Sequence, residues 1–458
     1  MTVMESEHPE LALGSNPLGV STNVPFAMAQ TPYVPKERYY SREFFELEKS
    51  HLWPRIWQMA ARLEEIPRAG DFVEYEICGN SILVIHQKDG TVKALHNACR
   101  HRATELAKGC GHLAGGQIVC PFHGWRWNLD GSSSFVFVES AFDREALNPD
   151  DLKLRECRSE VWAGMVWINL DPDARPLKEA LFPVADLLDG IGIANMRVKW
   201  WKQVVLNANW KITEEAFLEG YHVMQTHPQL LMGGDAEAAA VQSLATEYTA
   251  FRNGHGRFQS GAGLGENRMG SADFIEFNRL LADGQDAMAL DRDIKIFEGI
   301  RGRVGVDNPT FPKEALSALY EYAAGAGIPM PPLTDGMRLW GGEIFIFPNF
   351  FMLPMYGNCL SYRMRPIRDD PEWCLFDVWS LTTYPLGEEP DRATLMGVFD
   401  KEDSQHWGLI PRQDFSNIER QQRGLRSVSF EHHRLSPQLE KTIVNLHQEL
   451  DRRIAAGL

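Results

Sequence analysis

Cys99-Arg100-His101, then eighteen residues, then Cys120-Pro121-Phe122-His123, is the feature that most constrains what this chain can become. Two thiolates and two imidazoles alternate as C-x-H and C-x-x-H, so two loops must approach one point from opposite sides. With the cysteines on one iron and the histidines on the other, the set suits a [2Fe–2S] cluster, and the imidazoles raise its reduction potential above that of an all-cysteine cluster. The competing reading is a structural zinc site of Cys2His2 type. In such sites the histidines usually fall together after the cysteines, whereas here the two types alternate.

The full stretch runs Asn97-Ala98-Cys99-Arg100-His101-Arg102 and then Cys120-Pro121-Phe122-His123-Gly124-Trp125. It closely resembles the Rieske motif of the non-haem iron ring-hydroxylating oxygenases, in their α or terminal oxygenase subunit. Cys110-Gly111-His112 also reads C-x-H, but it leaves only seven residues before Cys120. Cys110 is therefore expected to be a buried free thiol or a loop residue. The chain departs from the family at Ala103, where Gly normally follows the arginine. The extra methyl is expected to shift the loop conformation without removing a ligand.

A chain of 458 residues exceeds one small domain and predicts roughly two or three. The longest apolar run, Val161–Leu170, is about ten residues and too short to span a bilayer. The acidic start Met1–His8 lacks the basic and apolar regions of a signal peptide. Seven cysteines, two of them committed to a cluster, make no disulfide framework, so a reducing cytoplasmic setting is expected. The net charge of −16 argues against nucleic acid and anionic membrane as partners. Against it, Arg100, Arg102, Lys108 and Arg126 form a local basic cluster. They read either as a docking patch for an acidic electron carrier or as compensation for a negative cluster.

The predicted fold class is α+β: a β-rich [2Fe–2S] domain followed by a larger, helix-grip-like domain with an antiparallel sheet and helices. Residues 1–37 read as an N-terminal arm, 38–172 as the Rieske domain and 173–458 as the catalytic domain. Ser41–Trp53 is expected as a helix capped by Ser41. Ile82–His86 and Val92–Leu95 flank Asp89-Gly90, a hairpin signal, and Asp130-Gly131 marks another turn. Val198–Leu206, Glu343–Phe351, Cys359–Pro366 and Cys374–Thr383 read as strands, with a helix starting near Thr213. Leu409–Arg426 and Ser436–Ala455 read as helices. The Gly-rich stretch Asn253–Gly270 is expected as a lid or entrance loop.

The segment Glu214–Pro228 carries a second set of ligands. Glu219 and His222 are three apart and share one face of a helix. His222 and His227 are five apart, so both reach one metal only where the helix ends or bends between them. Pro228 favours that, because it disfavours helical geometry at His227. A lone histidine is more often a satisfied core residue; two with a carboxylate point to metal. A facial triad of two histidines and one carboxylate holds Fe2+ on one face and leaves positions for O2. The carboxylate is expected from a distant segment. Asp414, in Gln413-Asp414-Phe415 with Glu419 and Gln422 following, resembles the C-terminal iron-ligand segment of the same family. Asp403 with His406 is the competitor. A ferritin-like di-iron site would need two Glu-x-x-His pairs, and only Glu219/His222 is well placed.

The resemblance runs from Tyr39 to about Ser427 and is weakest in 233–340. It implies a trimeric ring, α3 or α3β3, in which the Rieske centre of one subunit feeds the mononuclear iron of its neighbour. An acidic residue bridges a Rieske histidine and an iron-ligand histidine across that interface. Glu219 matches this position, where naphthalene-dioxygenase-like members carry Asp. Glu there, with His227-Pro228-Gln229-Leu230, is also similar to oxygenases that attack quaternary ammonium compounds.

The implied activity is oxygenation with O2 as co-substrate. NAD(P)H electrons are expected through a separate reductase, with or without a ferredoxin, because Gly261-Ala262-Gly263-Leu264-Gly265 has the wrong spacing for a dinucleotide fingerprint. Phe217, Leu218, Val223, Met224, Leu409 and Ile410 neighbour the ligands and are expected to line a pocket for a hydrophobic, aromatic or polycyclic substrate, ordinary core being their alternative. The alternative substrate is a quaternary ammonium, methoxy or N-methyl compound, for which Trp340, Phe345, Phe347, Phe350 and Phe351 could supply an aromatic cage. Two rivals remain: an electron-transfer-only Rieske protein, which has no use for His222, His227 and Asp414, and a binding protein with a degenerate site.

Overall fold

The computed structural model describes residues 24–28, 32–231, 240, 243–259, 270–304, 310–331 and 342–458. Its contacts divide the chain into two compact units. One holds Trp53–Ala180 with Asp391–Thr394, and the other holds the remainder.

The first unit is β-rich. Seven strands pair in the order Gln58–Arg62, Met165–Asn169, Glu156–Trp162, Val92–His96, Asn80–His86, Asp71–Ile77 and Cys110–His112. The Asp89-Gly90 signal produces the expected hairpin, with His86 opposite Val92. The apolar run Val161–Leu170 is split between two strands, because Ala163 and Gly164 both take positive φ and Trp162 pairs directly with Met165. Two left-handed residues in a two-residue loop match the twist of the strands they join. A smaller sheet of Gln117–Val119, Arg126–Asn128 and Ser133–Phe135 turns at Asp130-Gly131. Leu83, Leu95, Leu106, Ile118, Trp127 and Leu129 form a core that also takes in Cys99 and Cys120.

The second unit is built on one eight-stranded sheet. Its order is Glu247–Ala250, Gly256–Gln259, Glu343–Ile346, Phe350–Met355, Asn358–Pro366, Cys374–Thr382, Arg197–Leu206 and Leu395–Val398. All neighbours are antiparallel except the last pair. The expected strand Glu343–Phe351 is two strands, joined by a turn at Phe347-Pro348-Asn349, where proline cannot donate to the ladder. The helix expected near Thr213 begins at Trp210, because the Asn209 side chain accepts from Lys211 N at 2.9 Å and caps it. It ends at Glu215, so Glu219 and His222 do not lie on a helix as the spacing suggested. Asn253–Gly270 includes the strand Gly256–Gln259, while residues 260–269 lie outside the described residues.

Ser41 caps a short helix, Arg42–Leu47, which widens into a π turn at Glu48–Leu52. Residues 38–52, grouped by sequence with the β-rich domain, pack in the second unit. Arg38 pairs with Asp451 at 2.5 Å, and Lys211 with Glu48 at 2.6 Å, all four fully buried. Tyr39 Oη donates to Glu215 and meets His447 Nε2 at 3.0 Å. Buried charges persist only when so paired, so this network fastens the N-terminal segment to the helices Trp210–Glu215 and Lys441–Ala455. The latter starts five residues later than the sequence suggested.

Candidate metal centres

In the first unit, Cys99 and Cys120 sit on two loops with the same backbone pattern. Cys99 N donates to Thr104 O and Ala103 N to Cys99 O; Cys120 N donates to Trp125 O and Gly124 N to Cys120 O, all between 2.8 and 3.0 Å. The fifth residue of each loop needs positive φ: Gly124 takes it freely at 72°, while Ala103 takes it at 61° with a Cβ to accommodate. The departure at Ala103 thus keeps the loop's conformation at some strain rather than shifting it. Asn97 anchors the first loop, accepting from Leu106 N and Ala107 N and donating to Ala107 O.

The thiols of Cys99 and Cys120 are buried and in hydrogen-bonding contact. Burial pushes the Cys99 thiol up, and its neighbour Cys120 pushes it further. His101 and His123 lie with ring centroids 4.8 Å apart, and Trp125 stacks on His101. His101 Nδ1 is buried without a hydrogen-bond partner among the described residues. Two buried thiols in contact beside an orphaned imidazole nitrogen fit a [2Fe–2S] cluster, whose irons would take the two thiolates and the two imidazoles. Cys110 is not a buried thiol or a loop residue. It is exposed and lies on the strand Cys110–His112, where His112 Nδ1 meets Asp71 at 2.9 Å. Arg100, Arg102, Lys108 and Arg126 are all exposed, with Arg102 over the Phe122 ring and Arg126 over the Phe135 ring.

In the second unit, His222, His227 and Asp414 each offer a ligand atom within 4.8 Å of the others. His222 precedes and His227 follows the one-turn helix Val223–Thr226, and His227 leaves helical geometry at φ −121°, before Pro228. Asp414 comes from the inner face of the helix Leu409–Gly424. Its Oδ1 lies 2.9 Å from His227 Nε2 and 3.8 Å from His222 Nε2. Both rings are held from behind. His222 Nδ1 meets Glu219 Oε1 at 2.8 Å, and His227 Nδ1 meets Gln413 Oε1 at 2.9 Å. Those oxygens accept, so each Nδ1 carries the hydrogen and each Nε2 turns toward the carboxylate. With both imidazoles neutral, two lone pairs face one carboxylate oxygen and call for a cation between them, a metal ion or, in its absence, a proton. Burial works against charge on His222, yet Glu219, Asp414 and Glu343 push its imidazole up to about 9. The donor set and its orientation fit Fe2+.

Asp403 is not part of this group: it bonds His406 Nδ1 at 2.8 Å. Glu419 and Gln422, at family-like offsets from Asp414, accept from Asn207 N and Asn209 N and fasten the helix to the second unit's sheet and its capped helix. Gln413 had no assigned role in the sequence; only its place beside Asp414 hinted at one.

Of the expected pocket residues, Phe217 packs on Tyr362 at 4.5 Å, and Val223 and Met224 are half-buried. Leu218 is fully buried and its carbonyl accepts from Thr442, which makes it core. Ile410 is buried on the same inner helix face as Asp414 and packs against Gly284, while Leu409 is 47% exposed. The four described cage aromatics do not share one face. Phe345 and Phe351 are cross-strand partners on one sheet face, Phe350 points to the other face near Trp379, and Phe347 packs on Gly254. Trp340 lies outside the described residues.

Residues 193–456, more than half of the chain, match the family of the ring hydroxylating alpha subunit, catalytic domain. Residues 56–136 match the Rieske [2Fe-2S] domain. The chain is 34% identical over 200 residues to the carnitine monooxygenase oxygenase subunit of Acinetobacter pittii, covering 42% of this chain and 52% of that one. It thus spans about half the length of that relative. Biphenyl 2,3-dioxygenase subunit alpha of Rhodococcus jostii is 28% identical over 386 residues, 81% of this chain and 75% of its own. The fold is shared with the apo form of a quaternary ammonium Rieske monooxygenase, at TM-score 0.62 and 18% identity over 92% of this chain and 95% of that one. It is shared equally with naphthalene 1,2-dioxygenase with indole bound, at TM-score 0.65 and 18% identity over 92% of each chain. With both domains matched in order and the α+β fold in common, the chain belongs to the ring-hydroxylating α-subunit family and is a Rieske oxygenase α subunit.

Proposed function

We propose that this chain oxygenates a small organic substrate at a mononuclear Fe2+ held by His222, His227 and Asp414, using electrons received through Cys99, His101, Cys120 and His123. The convergence of two histidines and one buried carboxylate within 4.8 Å is the observation that supports it best. When bound, the cluster supplies single electrons and the ferrous ion supplies O2 activation. The chain's own part is positional. Glu219 and Gln413 hold the two imidazoles, and the ring faces of Phe217, Phe351 and Tyr362 keep water from the sheet side. Electrons come from NAD(P)H through a separate reductase, with or without a ferredoxin. In a homotrimer, alone or with β subunits, Glu219 bridges the centres of neighbouring subunits.

A hydrophobic, aromatic or polycyclic substrate suits that aromatic wall. A second reading, monooxygenation or demethylation of a quaternary ammonium compound, is favoured by Glu219 where naphthalene-dioxygenase-like members carry Asp, and by the carnitine monooxygenase relative. Oxygen uptake by iron-loaded protein with a surrogate reductase separates them, over polycyclic aromatics, aromatic acids and betaines. Substrate-dependent uptake with one class is expected. Reduction of the cluster with no substrate-dependent uptake from any class would leave an electron carrier instead.

Glu219→Gln tests the bridge. Glu219 Oε1 takes His222 Nδ1–H and Oε2 takes His222 N–H at 2.9 Å. Gln keeps one acceptor but turns its one pair of amide hydrogens toward a donor. Both metals should stay bound, while oxidation of the reduced cluster by O2 and substrate slows ~10-fold or more. Near-normal single-turnover kinetics would reduce Glu219 to a local helix-end contact.

A further inference from the structure

The sheet face behind the iron ligands is a run of rings. Tyr248 stacks on Phe258, Phe258 on Phe351, Phe351 on Tyr362, and Tyr362 packs on Phe217. The Glu219–His222 segment crosses this face: a Cβ on Gly220 would stand 3.6 Å from Tyr248 Oη and 3.8 Å from the Phe258 ring. Glu343 is the cross-strand partner of Phe258 and so projects from the same face. Its Oε2 is buried and has no hydrogen-bond partner among the described residues. The mechanism above gives it no task.

Burial pushes the Glu343 carboxyl up to about 8, with His222 lowering it and Glu219 raising it, so near neutral pH it is mostly the protonated acid until a cation pairs with it. An open carboxylate oxygen in such a place is costly beside a hydrocarbon. Beside an organic cation it is a counter-charge, and the adjoining ring faces add their own attraction for the same ion. Of the other charges around it, Glu219 and Asp414 are acidic and buried and favour a cation, while His222 is the one that opposes it.

We infer that Glu343 is a specificity-determining residue that receives a cationic ammonium group of the substrate against Phe258, Phe351 and Tyr362. This rests on the oxygenase reading, since it takes the space beside His222 as the substrate site.

Calorimetric titration of the iron-loaded full chain with choline and with its neutral isostere 3,3-dimethyl-1-butanol tests it. Wild type should bind choline at least ~10-fold more tightly than the alcohol. Glu343→Gln, which keeps the shape, should reduce that preference to within ~2-fold and leave alcohol binding unchanged. Equal binding of the two probes by wild type, or no detectable binding of either, overturns the inference without any variant. So does a Glu343→Gln protein that keeps its preference, or one that loses mononuclear iron and thereby makes Glu343 a ligand. Wild-type preference lost in Glu343→Gln, in a protein with no substrate-dependent oxygen uptake, supports the cation site and counts against the oxygenase reading alone.

Discussion

Asp414→Ala should empty the mononuclear iron site while the [2Fe–2S] spectrum stays at wild-type intensity. Asp414 is 5% exposed and contributes the one carboxylate among the three convergent ligands. His222 and His227 have their Nδ1 atoms committed to Glu219 and Gln413, so neither ring can swing to compensate. What remains is two neutral donors for a hard dication that needs a third, charged one. Removing a group that merely orients a ligand typically costs ~10–100-fold in metal affinity. Losing a ligand itself should exceed that, and iron per chain should fall by the mononuclear share. Iron against labile sulfide measures it, since the sulfide counts the cluster independently. The helix should survive, because Glu419 and Gln422 fasten it through Asn207 and Asn209. A variant with full iron and turnover would send the search for the carboxylate elsewhere, with Asp403 the next to test.

What was legible in the sequence divides by range. The cluster motif is local, because each loop closes on its own cysteine through bonds within six residues, and only the chemistry of four side chains had to be recognised. His222 and His227 were legible as a pair because Pro228 signals the break they require. The helix under Glu219 and His222 was not there. Their contact formed anyway, since a carboxylate can reach an imidazole three residues on across an irregular turn. Asp414 could be read from its segment, and helical periodicity then places Ile410, Asp414, Phe415 and Ile418 inward. The same periodicity turns Leu409 outward, which mere nearness in sequence missed.

The described cage aromatics scatter for a strand reason. Phe350 and Phe351 are consecutive, so the pleat sends them to opposite faces, and the turn at Phe347-Pro348 takes Phe347 off the sheet. Glu343 was invisible because its meaning depends on register. Its pairing with Phe258 sets which face it joins, and that pairing spans eighty-five residues of chain. Gln413 acts only through a histidine from another segment. Single residues whose partners lie this far away leave no pattern to read.

Cys99→Ser should abolish the visible absorption of the cluster and all NADH-driven turnover, while leaving mononuclear iron in place. The hydroxyl of serine is a poor substitute, because the metal needs a thiolate and an alcohol gives up its proton far less readily. The loop itself has no reason to unfold. Its closing bonds, Cys99 N to Thr104 O and Ala103 N to Cys99 O, are backbone, and Asn97 still anchors Leu106 and Ala107. The loss is therefore chemical first and structural second. Cys99 and Cys120 sit inside the core of the β-rich unit, so a cluster bound there also contributes to its folding. That unit should melt earlier in the variant, and the other, whose polar network runs through Arg38, Tyr39, Lys211 and Asp451, should melt as before. Absorption and labile sulfide report the cluster, and calorimetry resolves the two transitions. A serine variant that keeps its iron–sulfur spectrum would mean another thiol ligates the iron. Exposed Cys110 would be the first to examine, and the two matched loops would then need a different explanation.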